Sequence, residues 1–274
     1  MPVTYLLEVA NISHNAWYYE PIKKDTLRTE SLIPIINEIL TELPYYGYKR
    51  VTGELKERGL TVNHKFINNV MKSEGLLHVK KKAFTPKTTN SSHKFLTYQN
   101  LIKDMPVYLP YQVWVTDVTF IKINNRFAYV ALVLDIGLHK IVGFAISWHN
   151  DTDLVKEALM MAINGSSILP EYHHSDRGST YCAHAYVTIL NENNIKISMA
   201  DVGMSVDNAY AESLNGRLKM EEVYLSEYSD IHDARQSITK YIKQYNEKRI
   251  HTALGMSPLK FEQQLLERKV TNNN

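Results

Sequence analysis

Residues 113–123 read VWVTDVTFIKI, and an extended chain with this alternation is apolar on both faces: Val113, Val115 and Ile121 on one, Trp114, Val118 and Phe120 on the other. β-Branched and aromatic residues on both sides mark a strand covered on both faces in the middle of a sheet. Asp117 falls on the Val113–Val115 face, where a carboxylate without a cation, a donor or water is expensive to bury. Taken alone, it reads either as a strand-end residue bonded to nearby backbone or as a functional group.

Outward from this strand the texture stays β. YQVWVTDVTFIKI, RFAYVALVLDI and HKIVGFAISW are three β-rich runs separated by NN and GLHK, the pattern of a meander with tight turns. A helix over Thr152–Asn164, a short strand around Glu171–Ser175, a helix from about Thr180 to Glu192, a strand at IKISM and a helix opening near Asp207 follow, with further helices near the end. Three strands, then alternating helix and strand, predict an α/β sheet with helices packed on it.

Upstream, residues 31–78 carry three helical segments, Ser31–Glu42, Lys49–Arg58 and His64–Ser73, punctuated by Gly47, Gly59 and Gly75, with Asn63 placed to cap the last. Leu55, Phe66, Ile67, Val70 and Met71 supply apolar contacts at helical spacing. A compact tri-helical unit with a basic final helix suggests helix-turn-helix DNA binding, with His64, Lys65, Asn68, Asn69 and Lys72 facing a groove or its phosphates. A small bundle docking on protein is the alternative. Residues 1–30 read as a short helical segment, incomplete by itself, and 79–110, containing KKKAFTPKTTNSSHK, reads as a basic linker or arm.

Composition sets the outer limits. At 274 residues with 44% hydrophobic and 22% charged, the chain fits one substantial core plus a smaller module. No apolar run of about 18 residues is present to span a bilayer. The first fifteen residues lack the basic start and apolar stretch of a secretory signal, which predicts a cytoplasmic protein. Cys182 is the only cysteine, so an intrachain disulfide and a multi-thiolate zinc site are excluded. The net charge of +2 hides an asymmetry: Pro44–Lys103 holds twelve Lys or Arg against three acids, Asp104–Asn274 sixteen against twenty. A basic module followed by a mildly acidic one suits a polyanion partner for the first part.

Two further carboxylates join Asp117. Asp176, in HHSDRGST, lies where a short strand breaks toward a helix, a usual place for ligand groups in open α/β sheets and equally a usual place for a turn residue. Glu212 lies in GMSVDNAYAESLNGRLKMEEVY, residues 203–224, on a helix whose Ala209, Leu214 and Leu218 are expected to pack, with Asn208 four residues before and Asn215 three after. Fifty-eight residues separate Asp117 from Asp176, and thirty-five separate Asp176 from Glu212.

WVTDVTF, then HSDRG, then DNAYAES across that thirty-five-residue gap resemble the retroviral-integrase-type core of DDE transposases, and most closely the second reading frame of IS3-family insertion sequences. YGYKRVTGELKERGLTVNHKFINNVMKSEGL resembles the helix-turn-helix segment of that family, and YNEKRIHTALGMSP its C-terminal signature. The resemblance implies an RNase H-like core over residues 111–274, with Asp117, Asp176 and Glu212 as catalytic residues and metal ligands around two divalent ions, Mg²⁺ with Mn²⁺ as a substitute. It implies a polynucleotidyl transferase acting on double-stranded DNA: water frees a 3′-hydroxyl at an element end, and that hydroxyl attacks target DNA, with no ATP required. A homo-oligomer on DNA, an upstream-frame product (OrfA) as fusion or partner, and a bacterial cytoplasmic, nucleoid-associated location are implied in the same way.

Neighbouring residues have two readings each. Asn208, Asn215 and Lys219 contact DNA, orient a carboxylate, or are solvated on the helix surface. Arg177 and His174 touch phosphate or pair locally. Asp135 is expected to be structural, and His173, His174 and His184 are too crowded near one turn to make a convincing zinc site. Ser257 before Pro258 reads as a helix cap with proline in the first turn. The chain departs from the family pattern at Ala200, Asp201 and Val202, where a serine and basic residues are usual, and at Phe144, where Trp is common; the acid at 201 is expected to weaken a DNA contact. Competing classes are a catalytically silent, domesticated DNA-binding regulator and an RNase H-like nuclease acting on RNA–DNA hybrids.

Overall fold

The structure, a computed structural model, describes residues 3, 7, 26–77, 95–105, 108–201 and 208–272. Most of the expected N-terminal segment and of the basic arm, and Val202 with the loop that precedes Glu212, lie outside the described residues.

The upstream unit is helical: α1 (Thr26–Glu42), α2 (Tyr48–Glu57) and α3 (His64–Ser73). α1 starts earlier than its periodicity indicates and takes Pro34 inside it. α3 begins where Asn63 predicts, because the Asn63 side chain accepts the Lys65 N–H at 2.9 Å and satisfies one of the first-turn donors. Gly59 and Gly75 follow α2 and α3 with φ of +82° and +68°, a conformation that favours glycine, and the Leu60 and Leu76 N–H groups return to the Leu55 and Met71 carbonyls.

Five strands follow: β1 (Val113–Ile123), β2 (Arg126–Asp135), β3 (Lys140–Ser147), β4 (Tyr172–Ser175) and β5 (Lys196–Met199), in the order β3-β2-β1-β4-β5. β1, β2 and β3 are antiparallel neighbours, whereas β4 runs parallel to β1 and to β5. β1 is therefore central, as its two apolar faces require. The NN turn between β1 and β2 places Asn124 at φ +51°, which Asn tolerates better than most residues.

Helices cover both faces. They are α4 (Thr152–Gly165), α5 (Ser179–Cys182), α6 (His184–Glu192), α7 (Ala209–Leu218) continued by a π turn (Lys219–Val223), α8 (Ile231–Glu247) and α9 (Pro258–Asn272). The single helix expected over 180–192 is two, because Ala183 adopts an extended ψ of 137° between them. Trp114, Val118, Ala131 and Val133 pack with α4 and α6. On the opposite face Val113, Val115, Ile121 and Leu132 pack in one core with Leu214 and Leu218 of α7, Ile238 and Tyr241 of α8, and the α1–α3 residues Ile36, Leu55 and Ile67. β3 meets α4 so closely that a Cβ on Gly143 would lie 2.2 Å from the Ala158 carbonyl oxygen. The Phe261 N–H bonds the Ser257 carbonyl at 3.0 Å, so the SP pair does open a helix.

Candidate active site

The parallel register of β1 on β4 pairs Val113 with Tyr172, Trp114 with His173 and Val115 with His174, a constant offset of 59 residues. Carried two steps beyond the paired residues, the same offset points from Asp117 to Asp176, the residue that follows β4, and the Asp176 charge does act on the Asp117 carboxyl. Asp117 also stands opposite Leu132 of β2, so it sits where β1 leaves its parallel neighbour but keeps its antiparallel one. β4 is only four residues long, and its early end opens the sheet at that point.

α7 lies on the face to which Asp117 belongs. Ala211, Leu214 and Leu218 are buried against the sheet, and Glu212 is exposed at the edge of that contact. Ala209, expected to pack, faces solvent; Ala211 is the small residue that lets the helix come close.

Burial raises the Asp117 carboxyl to about 7, with a further rise from the Asp176 charge; the Val118 N–H and the Asn215 amide oppose this, and the Glu212 charge adds a smaller upward push. Asp117 thus feels the charges of both other carboxylates. Asp117 accepts the Val118 N–H on Oδ1 and the Asn215 Nδ2–H on Oδ2, each at 2.9 Å, so both oxygens are oriented. Asp176 Oδ1 accepts the Gly178 N–H at 2.9 Å, closing the turn after β4. Among the described residues, no three His, Cys, Asp or Glu side chains are drawn together as a ready-made metal cage.

The surrounding residues divide clearly. Asn215 is buried and acts on Asp117, which supports the orienting role over a DNA contact. Asn208 is buried as well, its amide donating to the Thr116 carbonyl at 3.1 Å, so it anchors the start of α7 to β1. Lys219, on the π turn, holds its ammonium 4.0 Å from the Phe120 ring centroid and feels the Asp117 charge; burial lowers its proton affinity. Arg177 pairs locally, donating to the Ala200 carbonyl at 2.7 Å and reaching Asp201 at 3.6 Å; Asp201 also binds Lys103 at 2.8 Å. The unusual acid at 201 is therefore a tie between two cations.

The histidines do not form one site. His173 contacts the Tyr186 hydroxyl at 3.1 Å and His174 the Ser198 hydroxyl at 2.8 Å, both buried, whereas His184 is exposed on α6. Asp135 is structural as expected, accepting the Tyr111 and Leu138 N–H groups at 3.1 and 2.8 Å. In the helical unit Lys65, Asn69 and Lys72 are exposed on the side of α3 away from buried Ile67, Val70 and Met71, Asn68 is half-buried, and exposed His64, in the first turn on the Ile67–Met71 stripe, stacks on Tyr48 of α2 at 6.1 Å.

A five-stranded mixed sheet with acids at its β1–β4 opening and a third on the covering helix is the architecture of an integrase-type polynucleotidyl transferase. Residues 108–205 and 193–258 match integrase core domains, and residues 27–84 match an HTH-like domain. InsK of the insertion sequence element IS150 from Escherichia coli (strain K12) is 32% identical over 277 residues, covering 96% of this chain and 94% of that protein. The transposase InsF for insertion sequence IS3A from the same organism is 29% identical over 224 residues, covering 79% and 76%. An integrase-type fold also appears in a simian T-cell lymphotropic virus intasome in complex with the PP2A regulatory subunit B56 gamma, with a TM-score of 0.50 at 13% identity over 82% of this chain and 73% of that one. The chain belongs to the IS3-family insertion-sequence transposases, DDE enzymes that cut and join DNA strands. Among the described residues no helix is long and apolar enough to cross a membrane.

Proposed function

We propose that Asp117, Asp176 and Glu212 form the strand-transfer site of this transposase. It lies in a catalytic core over residues 111–274, preceded by a basic arm (79–110) and a helix-turn-helix unit whose first helix, starting at Thr26, runs through the expected 30/31 boundary. The Asp176 and Glu212 charges acting on the buried Asp117 carboxyl carry the reading, and the β1–β4 register, which runs toward Asp117 and Asp176, supports it. Burial first, and then the Asp176 and Glu212 charges, raise the Asp117 carboxyl, and a bound cation would relieve that cost. Hard oxygen donors of this kind suit two Mg²⁺ ions, with Mn²⁺ as a substitute, and Mg²⁺ needs only one or two carboxylates when phosphate and water complete its octahedron. Ions so bound would favour in-line displacement at phosphorus by stabilising the attacking and leaving oxygens.

The protein's own part is alignment. Asn215 and the Val118 N–H fix the Asp117 oxygens, and Asn208 holds the start of α7 on β1. Lys219 supplies a positive charge beside Asp117, suited to a DNA phosphate. His64, Lys65, Asn68, Asn69 and Lys72 of α3 take the groove and backbone of double-stranded DNA at the element ends. A homo-oligomer acts on two ends and a target, in the bacterial cytoplasm on the nucleoid, with the upstream-frame product as fusion or partner. Titrating Mn²⁺ and following its electron paramagnetic resonance signal tests the ligand set without any turnover. Binding should be lost in Asp117→Asn and weakened in Glu212→Gln, and equal binding by the parent and both variants would remove the basis of the assignment.

A further inference from the structure

The C-terminal stretch YNEKRIHTALGMSP has so far had no role in the site, yet its Arg249 is among the most buried side chains of the protein, 1% exposed. It makes a forked contact with Glu221 of the π turn: Nε donates to Oε2 at 2.8 Å and Nη2 to Oε1 at 2.6 Å. The Tyr241 hydroxyl of α8 donates to Oε2 at 3.1 Å, and Arg50 of α2 donates to Oε1 at 3.1 Å. These four bonds fill the acceptor capacity of one carboxylate. They come from α2 of the helical unit, from α8, and from the loop after α8. Glu221 itself stands on the direct continuation of α7, nine residues beyond Glu212.

Other contacts join the helical unit to the core, and they differ in kind. Tyr45 packs edge-on against Tyr241 at 6.1 Å, and the Tyr46 hydroxyl accepts the Ile250 N–H at 2.9 Å. The pairs Glu42–Lys248 and Glu57–Lys260 are about half exposed, where water screens them. The hydrophobic effect that drives the apolar contact is non-directional, whereas a hydrogen-bonded ion pair adds a directional tie to it. The charged tie between the helical unit and α7's extension is Arg50 on Glu221, one Nη1–Oε1 bond in which the carboxylate side chain is 8% exposed and the guanidinium side chain 26%.

We propose that Glu221 is a positioning residue, the joint that locks the helical unit to the helix carrying Glu212, so that the α3 face and the acidic site keep a fixed separation and angle. The functional meaning rests on the transposase reading above; the mechanical statement does not. With the unit docked in this way, the distance from the bases that α3 contacts to the phosphodiester that is cut is set by protein geometry and not by linker length.

The test is a distance measurement on the full chain in a Cys182→Ala background, with spin labels at Glu74→Cys, just after α3, and Glu192→Cys, at the end of α6, by double electron–electron resonance. The parent should give one narrow distance peak. Arg50→Met keeps the side-chain bulk and leaves Arg249 on Glu221; it should lose the narrow peak to a broad distribution, with near-ultraviolet circular dichroism unchanged. Arg50→Lys should recover the peak in part. A broad distribution in the parent, or a peak as narrow in Arg50→Met as in the parent, overturns the proposal. No DNA or metal is needed, so failure of the transposase assignment and failure of the joint give separate signals. If Arg50→Met lost its folded spectrum, Arg50→Lys against the parent would still decide, since an unaltered peak with the shorter, single-point cation would contradict a geometric lock.

Discussion

Replacing Arg249 by Met should be among the most damaging single changes outside the acidic site. The substitution keeps most of the side-chain volume, so little cavity is created, and its cost is electrostatic. Glu221 loses two of its four donors and stays buried, keeping only the Tyr241 hydroxyl and the partly exposed Arg50. Removing one partner of a buried ion pair costs about 3–5 kcal/mol, and the surviving cation argues for the lower end, about 3 kcal/mol. For a chain of this size each kcal/mol moves the melting midpoint by about 2–4 °C, so the midpoint should fall by about 6–12 °C. Thermal unfolding followed by circular dichroism gives the number directly. The double variant Glu221→Leu, Arg249→Met removes the stranded charge and should recover at least half of the loss, a coupling that a double-mutant cycle measures. A fall in the midpoint of under about 2 °C in Arg249→Met would refute the reasoning, because a buried carboxylate stripped of half its donors cannot be that cheap.

Other outcomes follow from the same contacts. His251 is buried, stacks on His139 at 4.0 Å, and is held down to about 3 by burial, by His139 and by Arg217, Arg249 and Arg50. A base with a depressed folded value contributes stability that is full above its unfolded value, about 6.5, and is lost as pH falls toward the folded value. The melting midpoint should therefore drop between pH 7.5 and 5, and His251→Leu should flatten that drop; identical profiles would contradict it. Lys65→Ala and Lys72→Ala should each weaken DNA binding and lower the slope of log K against log salt by about 0.9 if each meets one phosphate, measured by fluorescence anisotropy. Gly143→Ala should destabilise by about 1–3 kcal/mol or more through its clash with α4, read as a lower urea midpoint.

Much of this architecture was written locally in the chain. The two apolar faces of residues 113–123 require a central strand, and that is where β1 sits; Asn63, Gly59 and Gly75 mark helix ends because caps and positive φ have short-range chemical causes. Asp117 stood out because its face was otherwise apolar. What was not legible depends on contacts between distant residues. Glu221 and Arg249 look like two ordinary charges in a polar stretch, since nothing near either one names a partner 28 positions away, and Arg50 lies 171 positions from Glu221. Asn208 and Asn215 read as a polar face, but the approach of α7 to β1 buries both. Asp201, expected to disturb a DNA contact, binds Arg177 and Lys103 once β5 brings the chain past them. The break at Ala183 has no proline or glycine to announce it.

The central claim is that three carboxylates from β1, the end of β4 and α7 act as one site on DNA. Its most direct test is a strand-cleavage and joining assay on duplex DNA carrying the element ends, with the parent and with Asp117→Asn, Asp176→Asn and Glu212→Gln, each also assayed for DNA binding. The account predicts that all three variants bind DNA as the parent does and that each loses cleavage and joining by several orders of magnitude, since loss of acting-together groups is not additive. Cleavage and joining at near-parental rates in any one of the three would contradict it.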